Sequence, residues 1–179
     1  MAEQIIKNLV WIDLEMTGLT IAKHKIMEIA VLVTDTNLNV LDEKGFVRYI
    51  HIDQNDVDGM SEIVKTMHTN NCLIQKCLDS DVSIEEADDE TVEYLKQFIG
   101  EGESPLCGNS ISVDRNFIEF NMLNLNKFLH WRNIDVTTLK QLSRLWKGEE
   151  YQKPKGEHEA LGDIKESIEE LKFYKEKLF

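Results

Sequence analysis

Asp13 and Glu15 stand two residues apart in the run WIDLEMTGL. In an extended strand, residues i and i+2 project from one face, so this spacing aims two carboxylates at one point. Like charges held that close repel, and a divalent cation preferring hard oxygen ligands, Mg²⁺ or Mn²⁺, would compensate them. A solvated strand end ahead of a Thr-Gly turn accounts for the same pair without any chemistry. Asp114 follows GNSISV at the start of a helical pattern. There a carboxylate equally serves as an ordinary partner of the helix dipole. His158 precedes the last helical pattern and Asp163 falls within its first two turns. Five residues apart, they share no helical face, so they can act together only if His158 reaches inward from the loop while Asp163 points from the helix. A histidine beside glutamates after a K-P-K-G segment is otherwise a surface residue. Considered jointly, Asp13, Glu15, Asp114 and Asp163 form a candidate metal-holding acid set, and His158 a candidate base near neutral pH.

These residues need elements to carry them. From Asn8 to Leu14 the run NLVWIDL alternates Val10, Ile12 and Leu14 against Trp11 and Asp13, which predicts a first strand ended by Gly18. KIMEIAVLVTD is a nearly continuous apolar run and KGFVRYIHID a third strand-like run, and NLNV and LDEKG read as hairpin connections. Three sequential strands make a meander. Residues 61–68 and 69–78 are helix-compatible, and VSIEEADDETVEYLKQFIG spaces Val92, Leu95 and Ile99 helically before Gly100 and Gly102. SPLCGNS reads as a short buried strand, and VDRNFIEFNMLNL puts Phe117, Ile118, Met122 and Leu125 on one helical stripe. NIDVTTLKQLSRLW predicts a strand or turn, then a helix through Leu139, Leu142 and Trp146. The C-terminal run carries Leu161, Ile164, Ile168 and Leu171 at the spacing of a long amphipathic helix. Strands followed by alternating helices and short strands point to an α/β layered fold.

The 179 residues, 42% apolar, suit one domain spanning 1–179, with only two prolines and no linker-like tract. The acidic stretch 81–103 is expected to be a solvated surface segment. Cys72, Cys77 and Cys107 are odd in number and lack a C-x-x-C pair, so neither a disulfide framework nor a thiolate zinc site is favoured. The N-terminal run resembles neither a signal peptide nor a membrane span. A soluble protein of the cytoplasm, or alternatively the mitochondrion, is expected. Twenty basic against 33 acidic residues, a net charge of -13, argue against a broad grip on long duplex DNA. A polyanionic substrate would need bound cations and a local basic patch. The candidates are Arg115, Lys127, Arg132, Lys140, Arg144, Lys147, Lys153 and Lys155.

In this order and context the acids and the histidine resemble the DEDDh exonuclease superfamily, and within it the oligoribonuclease family. The resemblance runs from VWIDLEMTGL through IMEIAVLVTD, MSEIVKTMH, LCGNSISVDRNF, HWRNIDVTTLKQLSRLW and HEALGDIKESI to the C-terminal helix. It implies an RNase H-like three-layer fold, a mixed central sheet of antiparallel meander plus parallel strands flanked by helices. It implies that the four acids hold two divalent cations while His158 activates the attacking water. Two cations can stabilise both the nucleophilic and the leaving oxygen of a phosphodiester displacement. The implied substrates are short single-stranded oligoribonucleotides degraded from the 3′ end to mononucleotides by a homodimer; a sister exonuclease acting on longer RNA or DNA is the alternative.

By position, the resemblance makes Leu19 an apolar wedge between bases, His68 a residue near the substrate's 3′ end, and Ser110 and Arg132 contacts to the 5′ phosphate. Arg132 with Trp131 would come from the partner subunit. The chain departs from the family at Ile63 and Trp131, where a tryptophan and a tyrosine are usual, and at Gly162, where an aspartate is usual. An isoleucine at 63 would forgo base stacking worth about 1–3 kcal/mol.

Overall fold

The long apolar run around residue 30 becomes the strand β2 (Ile26–Asp35), buried along all but its last residue, as a central strand covered on both faces must be. A computed structural model describes residues 6–153 and 159–178. In it β1 (Asn8–Met16) pairs antiparallel with β2, and β2 antiparallel with β3 (Phe46–Tyr49). On the other side of β1 the short strands β4 (Leu106–Gly108) and β5 (Asn133–Asp135) add in parallel. The order β3-β2-β1-β4-β5 is the expected mixed sheet, a meander extended by parallel strands.

Alternation along β1 divides the core in two. Val10, Ile12 and Leu14 face one layer, with Ala87 and Leu95 of α4 (Ile84–Leu95), Phe117 and Ile118 of α5 (Ser112–Asn121) and Leu125 of α6 (Leu123–Phe128). Leu9 and Trp11 face the other, with Val136 of α7 (Val136–Lys147) and Ala160, Ile164 and Ile168 of α8 (Ala160–Leu178). Helices on both faces of a twisted sheet give the three-layer arrangement. A third cluster around Met27 seats α1 (Gln54–Asp58), α2 (Glu62–Asn70) and α3 (Leu73–Leu78). Among the described residues no helix is long and apolar enough to cross a membrane.

Local chemistry explains where the sequence expectations shift. α2 and α3 divide at Asn71 and Cys72 rather than at residue 69, because Ser61 caps α2 from outside and Cys72 takes a left-handed conformation, φ 60°. α1, which periodicity does not announce, is set by the Asp53–Asp56 capping box. The stretch 81–103 is not simply solvated. α4 runs through it behind a Ser83–Glu86 capping box and buries Ala87, Asp88, Thr91, Val92 and Leu95, while Ile99 is buried beyond the helix end. The stripe from Phe117 to Leu125 is buried as expected but breaks at Met122, whose ψ of 72° is not helical. The carboxylate of Asp88 accepts from the freed N–H groups of Asn124 (2.9 Å) and Leu125 (2.7 Å), starting α6. Trp146 does not join the buried line of α7: it is 67% exposed, and the buried line passes through Val136 and Ser143. At about 100° per residue Trp146 falls roughly 80° around the helix from Val136.

Candidate active site

The carboxyl end of β1 is the switch point of the sheet, with β2 and β3 to one side and β4 and β5 to the other. Open α/β sheets leave a crevice for ligands at such an end. A register shift after Glu15 and a turn at Gly18 end the strand. A Cβ at Gly18 would lie 2.6 Å from the His24 ring, so the chain can fold back there only with glycine.

Asp13 and Glu15 project from the face that α8 covers, and the first turn of α8 delivers Asp163. A carboxylate oxygen from each of Asp13, Glu15 and Asp163 lies within 4.8 Å of the other two. Asp114 arrives from the opposite layer, in the first turn of α5, and is 7% exposed. Its Oδ1 accepts the Leu14 N–H at 3.0 Å, which ties α5 to β1 between the two strand carboxylates. His158 lies outside the described residues.

Burial and mutual repulsion dominate the electrostatics. Burial, then the charges of Asp114, Glu15 and Asp163, push Asp13 well above the ordinary carboxylate range. Glu15 is pushed up to about 8 by burial, then by Glu28, Asp163 and Asp114. Asp114 rises to about 7, mainly through burial, against the lowering effect of the Leu14 N–H. An all-oxygen donor set of this kind suits a divalent metal, whose charge would reverse these shifts. Asp13, Glu15 and Asp163 therefore fit as its ligands, with Asp114 at the edge of the same site.

The remaining sequence candidates are placed unevenly around this centre. Leu19 is 73% exposed beyond the turn. Ile63 is 83% exposed on α2. His68 is fully buried; its Nε2 sits 3.0 Å from the Met16 carbonyl and 3.9 Å from Glu15 Oε2, and its Nδ1 has no partner among the described residues. Burial pulls its pKa down, against the raising effect of the Met16 carbonyl. Ser110 follows β4 in a left-handed conformation, φ 51°, its N–H donating to Asp135 Oδ1 (3.0 Å) and Thr137 Oγ1 (2.9 Å). Trp131 is 73% exposed, stacked on His130, with the Arg132 guanidinium 4.8 Å over its ring. At Gly162 an added Cβ would meet nothing within 4 Å, so no packing requires glycine there.

Four of the eight cations of the supposed basic patch are engaged in ion pairs: Lys140 with Glu150 and Glu170, Arg144 with Glu150, Lys153 with Glu166 and Asp163, Lys127 with Glu101. Lys155 lies outside the described residues. Sequence reasoning missed two features. Asn109 spans the gap between layers, donating to Ser167 Oγ (2.9 Å) and Glu170 Oε2 (3.0 Å) while accepting from Thr137 Oγ1. Glu28, buried opposite Glu15, was passed over inside an apolar strand; a lone acid in such a run was the signal.

Comparisons with known proteins agree with this geometry. Residues 10–171 match the RNase T exonuclease family. The chain is 48% identical over 174 residues to an oligoribonuclease of Hydrogenovibrio crunogenus, covering 96% of this chain and 94% of that one. It is 48% identical over 176 residues to an oligoribonuclease of Vibrio cholerae, covering 97% and 96%. Among solved structures, cell-death related nuclease 4 superposes with a TM-score of 0.71 at 11% identity, over 97% of this chain and 65% of that one. The E. coli exonuclease I complex with single-stranded DNA superposes at 0.67 and 13% identity, this chain spanning 41% of that longer chain. The structural likenesses establish a shared exonuclease fold; with relatives nearly half identical from end to end, the chain belongs to the oligoribonuclease family of DEDDh exonucleases.

Proposed function

We propose that the protein is a metal-dependent 3′-to-5′ exoribonuclease that degrades oligoribonucleotides of about two to five nucleotides to 5′-mononucleotides. The observation that carries this reading is the convergence of Asp13, Glu15 and Asp163 within 4.8 Å at the end of β1, with Asp114 tied to the same strand. Near-complete coverage of oligoribonucleases of similar length supports the substrate class. The whole chain, 1–179, forms one exonuclease domain.

Asp13, Glu15, Asp114 and Asp163 hold two divalent cations, Mg²⁺ or Mn²⁺. When bound, such cations supply Lewis-acid stabilisation of charge on the oxygens of the scissile phosphate. His158 takes the proton of the attacking water. Leu19 wedges against the bases, and buried His68 fixes the backbone at Met16 beneath the 3′ nucleotide. Ser110 offers its hydroxyl to a 5′ phosphate, since its N–H is already bonded to Asp135 and Thr137. Trp131 and Arg132 reach the site of a partner subunit in a homodimer, the exposed stack of His130, Trp131 and Arg132 being preassembled for the purpose. The protein works in the cytoplasm.

The test is direct: incubate a diribonucleotide with the purified protein and Mn²⁺, and resolve the products by anion exchange. Mononucleotides should appear with Mn²⁺ and vanish with EDTA. A dinucleotide that is bound and left intact would refute the enzymatic reading.

A further inference from the structure

Glu28 is 6% exposed, the one acid within the buried length of β2. It pairs with Glu15 across β1 and β2, and with Tyr49 across β2 and β3, so Glu15, Glu28 and Tyr49 form a row on the face that α8 covers. Burial pushes its carboxyl up to about 7, with the charge of Lys76 acting against that rise and the charge of Glu159 adding to it. Beside it lies a cavity of about 110 Å³ whose polar lining is Glu28, Tyr49, Asn71, Lys76 and Glu159. Lys76 enters that cavity without pairing with Glu28: its Nζ donates to the Tyr49 hydroxyl (3.1 Å) and sits 4.7 Å over the Tyr49 ring. A carboxylate buried among like charges is costly for a fold. Placed next to three other acids, it strengthens the pull on any cation they hold, because the surroundings screen it poorly.

We propose that Glu28 is a positioning residue of the metal centre: a fifth carboxylate, outside the ligand set, whose negative charge draws divalent cations onto Asp13, Glu15 and Asp163, with Lys76 as the opposing charge. This rests on the reading of those three acids as ligands. Glu28 is kept in spite of its cost to the metal-free fold, and the cation repays that cost on binding.

The experiment titrates metal-free protein with MnCl₂ by calorimetry and records thermal melts in EDTA for the wild type, Glu28→Gln, Lys76→Met and Asp163→Asn. Glu28→Gln, nearly isosteric, should bind Mn²⁺ about tenfold more weakly and melt a few degrees higher without metal. Lys76→Met should bind Mn²⁺ more tightly than the wild type. A merely structural role would lower the melting point and would not move affinity in opposite directions for the two charges. Unchanged Mn²⁺ affinity in Glu28→Gln, or a Lys76→Met shift in the same direction, would overturn the proposal. Asp163→Asn separates the two levels. If it binds Mn²⁺ as the wild type does, the ligand reading falls and the inference with it; if it loses binding while Glu28→Gln keeps full affinity, only the inference falls.

Discussion

Asp114 has a structural duty beside its charge, the acceptance of the Leu14 N–H at 3.0 Å. An asparagine keeps that acceptor and removes only the charge. Asp114→Asn should therefore fold with an unchanged denaturation midpoint yet lose turnover on a dinucleotide by on the order of 100-fold or more. Near-normal kcat in a folded variant would remove Asp114 from the site. The same acids set a pH dependence. In the metal-free protein Glu15 titrates at about 8 and Asp114 at about 7, against ordinary values of 4.5 and 3.8. Between those limits the folded state holds protons that the unfolded chain has released. Stability without metal is thus greatest at the acid end and falls as pH rises from about 4 towards 8. Urea denaturation in EDTA at pH 5 and pH 8 checks the sign. Because binding a cation requires the ionised acids, Mn²⁺ affinity should climb over the same window and flatten above it.

The elements hold these residues through caps as much as through periodicity. Asp88 reaches from α4 to satisfy two N–H groups at the start of α6, and it is 5% exposed. Asp88→Ala strands both donors in the interior and should cost about 2–4 kcal/mol in chemical denaturation. Gly162 is exposed in the first turn of α8 with open space around its Cα. Gly162→Ala should stabilise the protein by up to ~1 kcal/mol without changing KM. What could be read from the sequence follows the same division. The period of two in β1 disclosed that Asp13 and Glu15 share a face, and the stripe of α8 disclosed the helix that carries Asp163. α1 and the start of α6 could not be read, because a capping box and a remote carboxylate set them rather than any repeating pattern. Trp146 was misplaced because the stripe of Leu139, Leu142 and Trp146 lies roughly 60–120° around α7 from Val136, on the flank of the line through Val136 and Ser143 that is buried. Glu28 was passed over because a run of apolar neighbours marks a strand and says nothing of which cross-strand partner its one acid will meet.

At the scale of the whole molecule, 33 acidic against 20 basic residues argue against a broad grip on a polyanion, and four of the eight cations of the candidate patch are engaged in ion pairs. Selection for short strands then has to come from enclosure of both substrate ends, which the proposed dimer supplies through Trp131 and Arg132. Subunit mixing tests that arrangement. Arg132→Ala and Asp163→Asn proteins, each weak alone, should regain about a quarter of wild-type activity when exchanged at equal amounts, since half the dimers are hybrid and one of their two sites is intact. Activity no higher than the average of the two variants would mean that Arg132 serves its own subunit or none. Every role assigned to these residues depends on the reaction itself. It is tested most directly by a time course on 5′-labelled oligoribonucleotides from two to ten residues, each run with Mn²⁺ and with EDTA. The account predicts metal-dependent shortening one nucleotide at a time from the 3′ end, with the highest initial rates on the shortest strands. Faster cleavage of the ten-residue strand than of the two-residue one, or shortening in EDTA, would contradict it.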